Sequence, residues 1–128
     1  MKDYRTTEQD FKYFKQCALR WQAILSLGGW EIFFNHVENE NNYLAWIDSN
    51  TPGRCATIGL NKNWHSTEVS KRQLSMSAFH EICELLLERL DDMARHSFSD
   101  EIVNEARHEI IRVMEKVIWE ADYGSSRK

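Results

Sequence analysis

One proline (Pro52) and five glycines in 128 residues leave few places where the chain can break. Several domains joined by Pro- or Gly-rich linkers are therefore excluded. Cysteine is scarce too: Cys17, Cys55 and Cys83 are odd in number, widely spaced and without a CxxC pair. That argues against a disulfide framework and for reduced thiols in a cytoplasmic protein. No apolar run approaches the ~18 residues that a membrane span needs, and the charged and aromatic N-terminal stretch has no apolar signal core. Basic runs are missing as well. Lys and Arg total 16 against 20 Asp and Glu, a net charge of −4, so nucleic-acid backbone is a poor electrostatic partner. What is present, 42% hydrophobic and 28% charged residues, is the balance of one globular domain spanning residues 1–128.

The patterning predicts an α+β fold. Thr6 and Gln9 read as a capping box for a helix carrying Phe11, Phe14, Ala18, Trp21 and Leu25, stopped by Gly28-Gly29. Three short strands follow, Trp30 to His36, Tyr43 to Asp48 and Cys55 to Leu60, separated by polar turns. Such short turns predict a small three-stranded, mostly antiparallel sheet. Two long helices complete the chain. Ser66 or Ser70 caps the first, with Phe79, Ile82, Cys83, Leu86, Leu90 and Met93 as its apolar face. Ser99 or Asp100 caps the second, whose predicted buried stripe is Val103, Ala106, Ile110, Val113, Val117 and Ala121. Met1 to Arg5 and Gly124 to Lys128 read as frayed ends.

The informative segment is Phe79-His80-Glu81-Ile82-Cys83-Glu84. At about 100° per residue, His80 and Glu84 lie ~40° apart on one face, beside the apolar stripe rather than within it. Glu81 lies ~60° beyond Glu84. On the final helix His108 also flanks the buried stripe, so two neighbouring helices each set an imidazole beside their shared seam. Two imidazoles and a carboxylate, with water in the fourth position, are a recurring catalytic zinc set. The bland alternative is a solvated acidic face formed by Glu81, Glu84 and Glu88. Cys83 falls on the apolar stripe and reads as a packed thiol. His36, His65 and His96 sit at strand or loop ends, with His96 a fallback ligand.

On these residues the chain resembles the minimal zincin-type metallopeptidases, whose shared core is an N-terminal helix, a short sheet and a helix bearing His-Glu-x-x-His. The likeness spans roughly Trp21 to Ile118 in organisation, but the motif itself is only a few residues. It implies zinc, with His80 as the first ligand and Glu81 as general base. Glu84 stands where the family has its second histidine. His108 stands roughly where the gluzincin branch has a downstream glutamate. The two departures are reciprocal, so one carboxylate and two imidazoles still surround the ion. Glu105 as a fourth ligand would instead close the site into a structural one. The resemblance further implies a peptide substrate adding to the strand Cys55 to Leu60 as a cleft edge. Tyr43, Arg112 or Tyr123 would then supply an oxyanion donor.

Two other readings compete. Glu81, Glu84, Glu101 and Asn104 echo the MazG-like pyrophosphohydrolases, which hold Mg²⁺ between helices, but those are all-helical. Loss of the motif's second histidine also fits a catalytically degenerate zincin-like module, binding or inhibiting another protein in the manner of small phage and mobile-element proteins.

Overall fold

Thr7, not Thr6, opens the first helix. In a computed structural model describing residues 3–126, the Thr7 side chain accepts from the Asp10 backbone N–H and the Asp10 carboxylate accepts from the Thr7 backbone N–H. The capping box is thus shifted by one residue. Thr6 is buried instead, with its Oγ1 2.8 Å from Nε2 of His36 and donating to the carbonyl of Asn61. Helix α1 spans Glu8–Ile24 and ends through Leu25 and a left-handed Ser26 (φ 59°), ahead of the glycine pair. Met1, Lys2, Arg127 and Lys128 lie outside the described residues. Neither expected frayed end is frayed where it is described. Tyr4–Arg5 forms strand β1, paired with a later strand, and Gly124 and Ser125 are helical.

Strands β2 (Glu31–Val37), β3 (Ala45–Asn50) and β4 (Cys55–Asn61) form the three-stranded sheet in the order β2-β4-β3. β4 runs parallel to β2 and antiparallel to β3, so the sheet is mixed rather than mostly antiparallel. β4 takes the centre because it is the strand with both faces to hide. Ala56, Ile58, Gly59, Leu60 and Asn61 are all buried, and a strand covered on both sides belongs inside a sheet. Asn61, itself fully buried, pins the β2–β3 connection over the gap that β4 fills. Its Oδ1 accepts from Asn39 N, and its Nδ2 donates to the carbonyls of Asn39 and Tyr43. The cleft-edge expectation for Cys55 to Leu60 is therefore overturned; β3 is the free edge beside β4. Strand β5 (Asn63–His65) pairs with β1.

Gly59 matters for close approach. A Cβ there would stand 2.1 Å from the Trp46 ring on the neighbouring strand. Gly59→Ala must displace that indole, and we expect a loss of about 1–3 kcal/mol in urea unfolding.

Helix α2 runs Lys71–Arg95 from a Ser70 cap, and α3 runs Asp100–Met114 from a Ser99 cap. The last helix continues through a π-helical turn, Glu115–Trp119, into α4 (Glu120–Ser126). Phe14, Ala18 and Trp21 of α1, Ile58 and Leu60 of β4, Phe79, Ile82 and Cys83 of α2, and Ile111 and Trp119 share one core. Trp21 meets Phe79 edge-on with ring centroids 4.7 Å apart, and Trp119 Nε1 donates to Ser75 Oγ. Among the described residues, no helix is long and apolar enough to cross a membrane.

The predicted apolar faces of α2 and α3 are only half buried. Phe79, Ile82 and Cys83 are enclosed, yet Leu90 and Met93 are 61% and 62% exposed. On α3 only Val103 of the expected stripe is buried, while Ile110, Val113 and Val117 retain 43–65% exposure. α2 is 25 residues long and α1 only 17, so the far end of the α2–α3 hairpin extends past the helix that covers its beginning. Helical periodicity identifies an apolar face but not how far its cover reaches.

Candidate metal centre

Antiparallel packing of α2 against the last helix creates the site. Contacts descend one helix as they climb the other: His80 with Glu115, Glu84 with Arg107, Asp91 with Arg107, Arg95 with Asn104. One turn of α2 puts His80 and Glu84 on this seam, and His108 projects onto it from α3. Ligand atoms of His80, Glu84 and His108 lie within 4.8 Å of one another, a group that can hold a metal ion. His80 Nε2 and Glu84 Oε2 are 3.4 Å apart, about the edge of a tetrahedron built on 2.0–2.1 Å bonds. The His80 and His108 rings stack at 5.7 Å and 26°. The donor chemistry, two imidazoles and a carboxylate, fits a borderline cation such as zinc.

Surrounding groups hold these side chains in place. His80 Nδ1 lies 3.0 Å from Glu115 Oε2. Donation by Nδ1–H to that carboxylate makes Nε2, facing Glu84 and the seam, the nitrogen that would yield its proton and offer a lone pair to a metal. Glu84 Oε1 receives Arg107 Nη2 at 3.2 Å, and Arg107 is itself held by Asp91 (2.8 Å) and Asn104 (3.1 Å). Glu115 and Arg107 were not singled out from the sequence. A signal for Glu115 existed: it follows His108 by seven residues, which returns to nearly the same helix face. Replacing Glu115 with Ala should lower metal affinity by about 10–100-fold, measurable by chelator competition.

Electrostatics set the proton inventory. Burial pushes the His80 imidazole down, but the hydrogen-bonded carboxylates of Glu115 and Glu84, with the charge of Glu84, overcome it and raise it to about 10. Glu81 is only 5% exposed; burial and then the neighbouring Glu84 charge lift its carboxyl well above the usual range. No donor among the described residues reaches its buried Oε1, and a retained proton lets Glu81 bond to Glu84. Burial also disfavours the Glu84 charge, but His80, Glu81 and Arg107 outweigh it and hold that carboxyl below normal. Burial, helped by nearby carboxylates, pushes the Cys83 thiol up to about 12, as expected of an inert packed thiol.

A cleft of about 290 Å³ opens between the triad and the sheet edge, lined by Tyr43 and by Ala45, Trp46 and Ile47 of β3 opposite His80, Glu81, Glu84 and His108. Glu81, though buried, forms part of this wall. Of the three expected oxyanion donors, Tyr43 reaches the cleft, Arg112 is exposed on α3, and Tyr123 stacks on Trp119 at 5.1 Å. Glu105 and Glu101 are exposed on α3, and His96 caps the end of α2 with Nδ1 near the Asp92 carbonyl. None of these three belongs to the triad. The chain matches no protein-family model, no curated protein and no solved structure.

Proposed function

We propose that the chain is a zincin-like zinc peptidase in which His80, Glu84 and His108 hold the ion and Glu81 is the general base. The observation that carries the reading is the convergence of those three ligand atoms beside Glu81, a buried carboxyl with an unsatisfied oxygen, on a cleft walled by a free strand edge. Zinc, when bound, would supply Lewis acidity, polarising a carbonyl and lowering the pKa of water toward ~7.

The chain's own residues then have distinct tasks. Glu81 loses its retained proton as positive charge accumulates beside it, and can take one from the attacking water. Arg107 and Glu115 orient Glu84 and His80 through the bonds described above. An extended peptide can add to β3, whose outer edge pairs with no other strand among the described residues. Tyr43, 60% exposed at the cleft mouth, is the remaining oxyanion donor among those expected.

The test compares wild type with Glu81→Gln, scoring zinc content and cleavage of an unstructured peptide library together. Cleavage by wild type and none by the loaded variant supports the peptidase. Equal inertness with zinc retained favours a degenerate binding module, and absence of zinc from wild type removes both.

A further inference from the structure

The α2–α3 hairpin presents an apolar face with no cover within the described chain. Leu90 and Met93 of α2 and Phe98 of the turn are 59–62% exposed, and they continue into a groove of about 280 Å³ along α3. Along the last helix Ile102, Ala106, Ile110, Val113 and Val117 form one exposed or groove-lining apolar stripe, with Val103 on the groove's buried side and Ile118, 37% exposed, off the stripe. Steps of four, four, three and four residues are the repeat of a helix that packs along another helix. Grouped exposed apolar residues of this kind mark interaction surfaces, whereas scattered single ones do not.

The rim of this seam identifies the occupant. Glu105 and Glu109 come first, then Arg112 and Lys116, all exposed and on the side away from α2. Acidic residues followed by basic ones along one edge make the edge complementary to its own reversal. A two-fold axis passing between Ile110 and Ile111 sets Glu109 against Arg112 of a second copy and Glu105 against Lys116. The same axis sets Ala106, Ile110, Val113 and Val117 each between two seam residues of the copy, as knobs require holes, while Ile102 lies past the last of them. A foreign helix would need no such antisymmetry. The one like-charged pairing in this register joins Glu101 to Glu120, and Arg72 lies 3.9 Å from Glu120.

We infer that the chain forms a two-fold dimer in which the last helices pack antiparallel through Ile102, Ala106, Ile110, Val113 and Val117, with Glu109–Arg112 pairs beside the axis. The interface is isologous, so every contact occurs twice. It lies on the opposite side of α3 from His108 and does not depend on the metal reading.

Sedimentation of the full chain between about 1 and 100 µM, the weak end of the µM-to-pM span of standard interfaces, tests it. Wild type should sediment as a dimer. Val113→Asp with Val117→Asp should weaken association by at least ~100-fold, with helical content unchanged because both positions are already exposed. Glu109→Arg or Arg112→Glu alone should weaken it about 10-fold, and the two together should restore it, since the swap exchanges partners across the axis. A monomer throughout overturns the proposal, as does a dimer indifferent to the valine changes. A dimer sensitive to the valines but not rescued by the charge swap overturns the antiparallel register.

Discussion

The wild-type protein is expected to take up one equivalent of zinc while releasing protons, with an apparent affinity that falls as the pH falls. A metal ligand must be deprotonated, yet the His80 imidazole of the metal-free protein is held up to about 10. Near neutrality the ion must therefore displace that proton. Each displaced proton costs on the order of tenfold in affinity per pH unit. Calorimetry in buffers of different ionisation enthalpy reads the release directly. Alanine at His80, Glu84 or His108 should cost more than the ~10–100-fold typical of an outer-shell partner, because one of three ligands is gone. Unaltered uptake in all three variants would place the ion elsewhere.

Metal-free stability should depend on pH in the opposite direction. Glu81 and His80 both hold protons more tightly when folded than when unfolded. Their contribution is complete below the unfolded values and is lost as pH rises. For Glu81 the loss begins near 4.5, and for His80 it runs from 6.5 to about 10. Glu84 behaves inversely: its depressed value gives stability above 4.5 that fades as pH falls through its folded value. The chelated protein should thus melt at progressively lower temperature from mildly acidic to alkaline pH. Excess zinc should counter that slope, because binding strengthens as protons leave. A chelated Tm that climbs between pH 6.5 and 9 would contradict the proton inventory drawn from these three groups.

Glu81→Gln is expected to abolish hydrolysis while leaving zinc bound. The amide matches the carboxyl in size and, in a position where burial already disfavours the carboxylate charge, adds no charge of its own, so folding should hardly change. What it cannot do is accept a proton. Loss of a positioned general base typically lowers the rate about 10²–10⁴-fold. Retained zinc separates this effect from damage to the triad. A variant as active as wild type would remove Glu81 from the chemistry even if the metal site stands.

Local patterning carried much of the fold and half of the site. The order of one helix, three strands and two helices follows from periodicity and turn residues, which act within a few positions of one another. So does the shared face of His80 and Glu84, because helical geometry alone decides it. His108 lies across α3 from the stripe that periodicity marks there, so its meeting with His80 and Glu84 depends on the face α3 turns toward α2. Cap positions shifted by a residue where two threonines compete: Thr6 is drawn away by His36 and Asn61, leaving Thr7 to cap.

Partners distant in sequence were not legible. Insertion of β4 between β2 and β3 depends on which strand buries both faces and on Asn61 holding a loop some twenty residues upstream. That insertion makes β3, rather than β4, the wall of the cleft. Glu115 and Arg107 gained their roles only when the antiparallel helices set them against His80 and Glu84. The open half of the hairpin likewise reflects where α1 stops. Sequence by itself determined which side chains could share a face, because that is fixed by the 3.6-residue turn. Tertiary structure decided which faces meet and which stay bare, because packing sums contacts over the whole chain and no short window contains them.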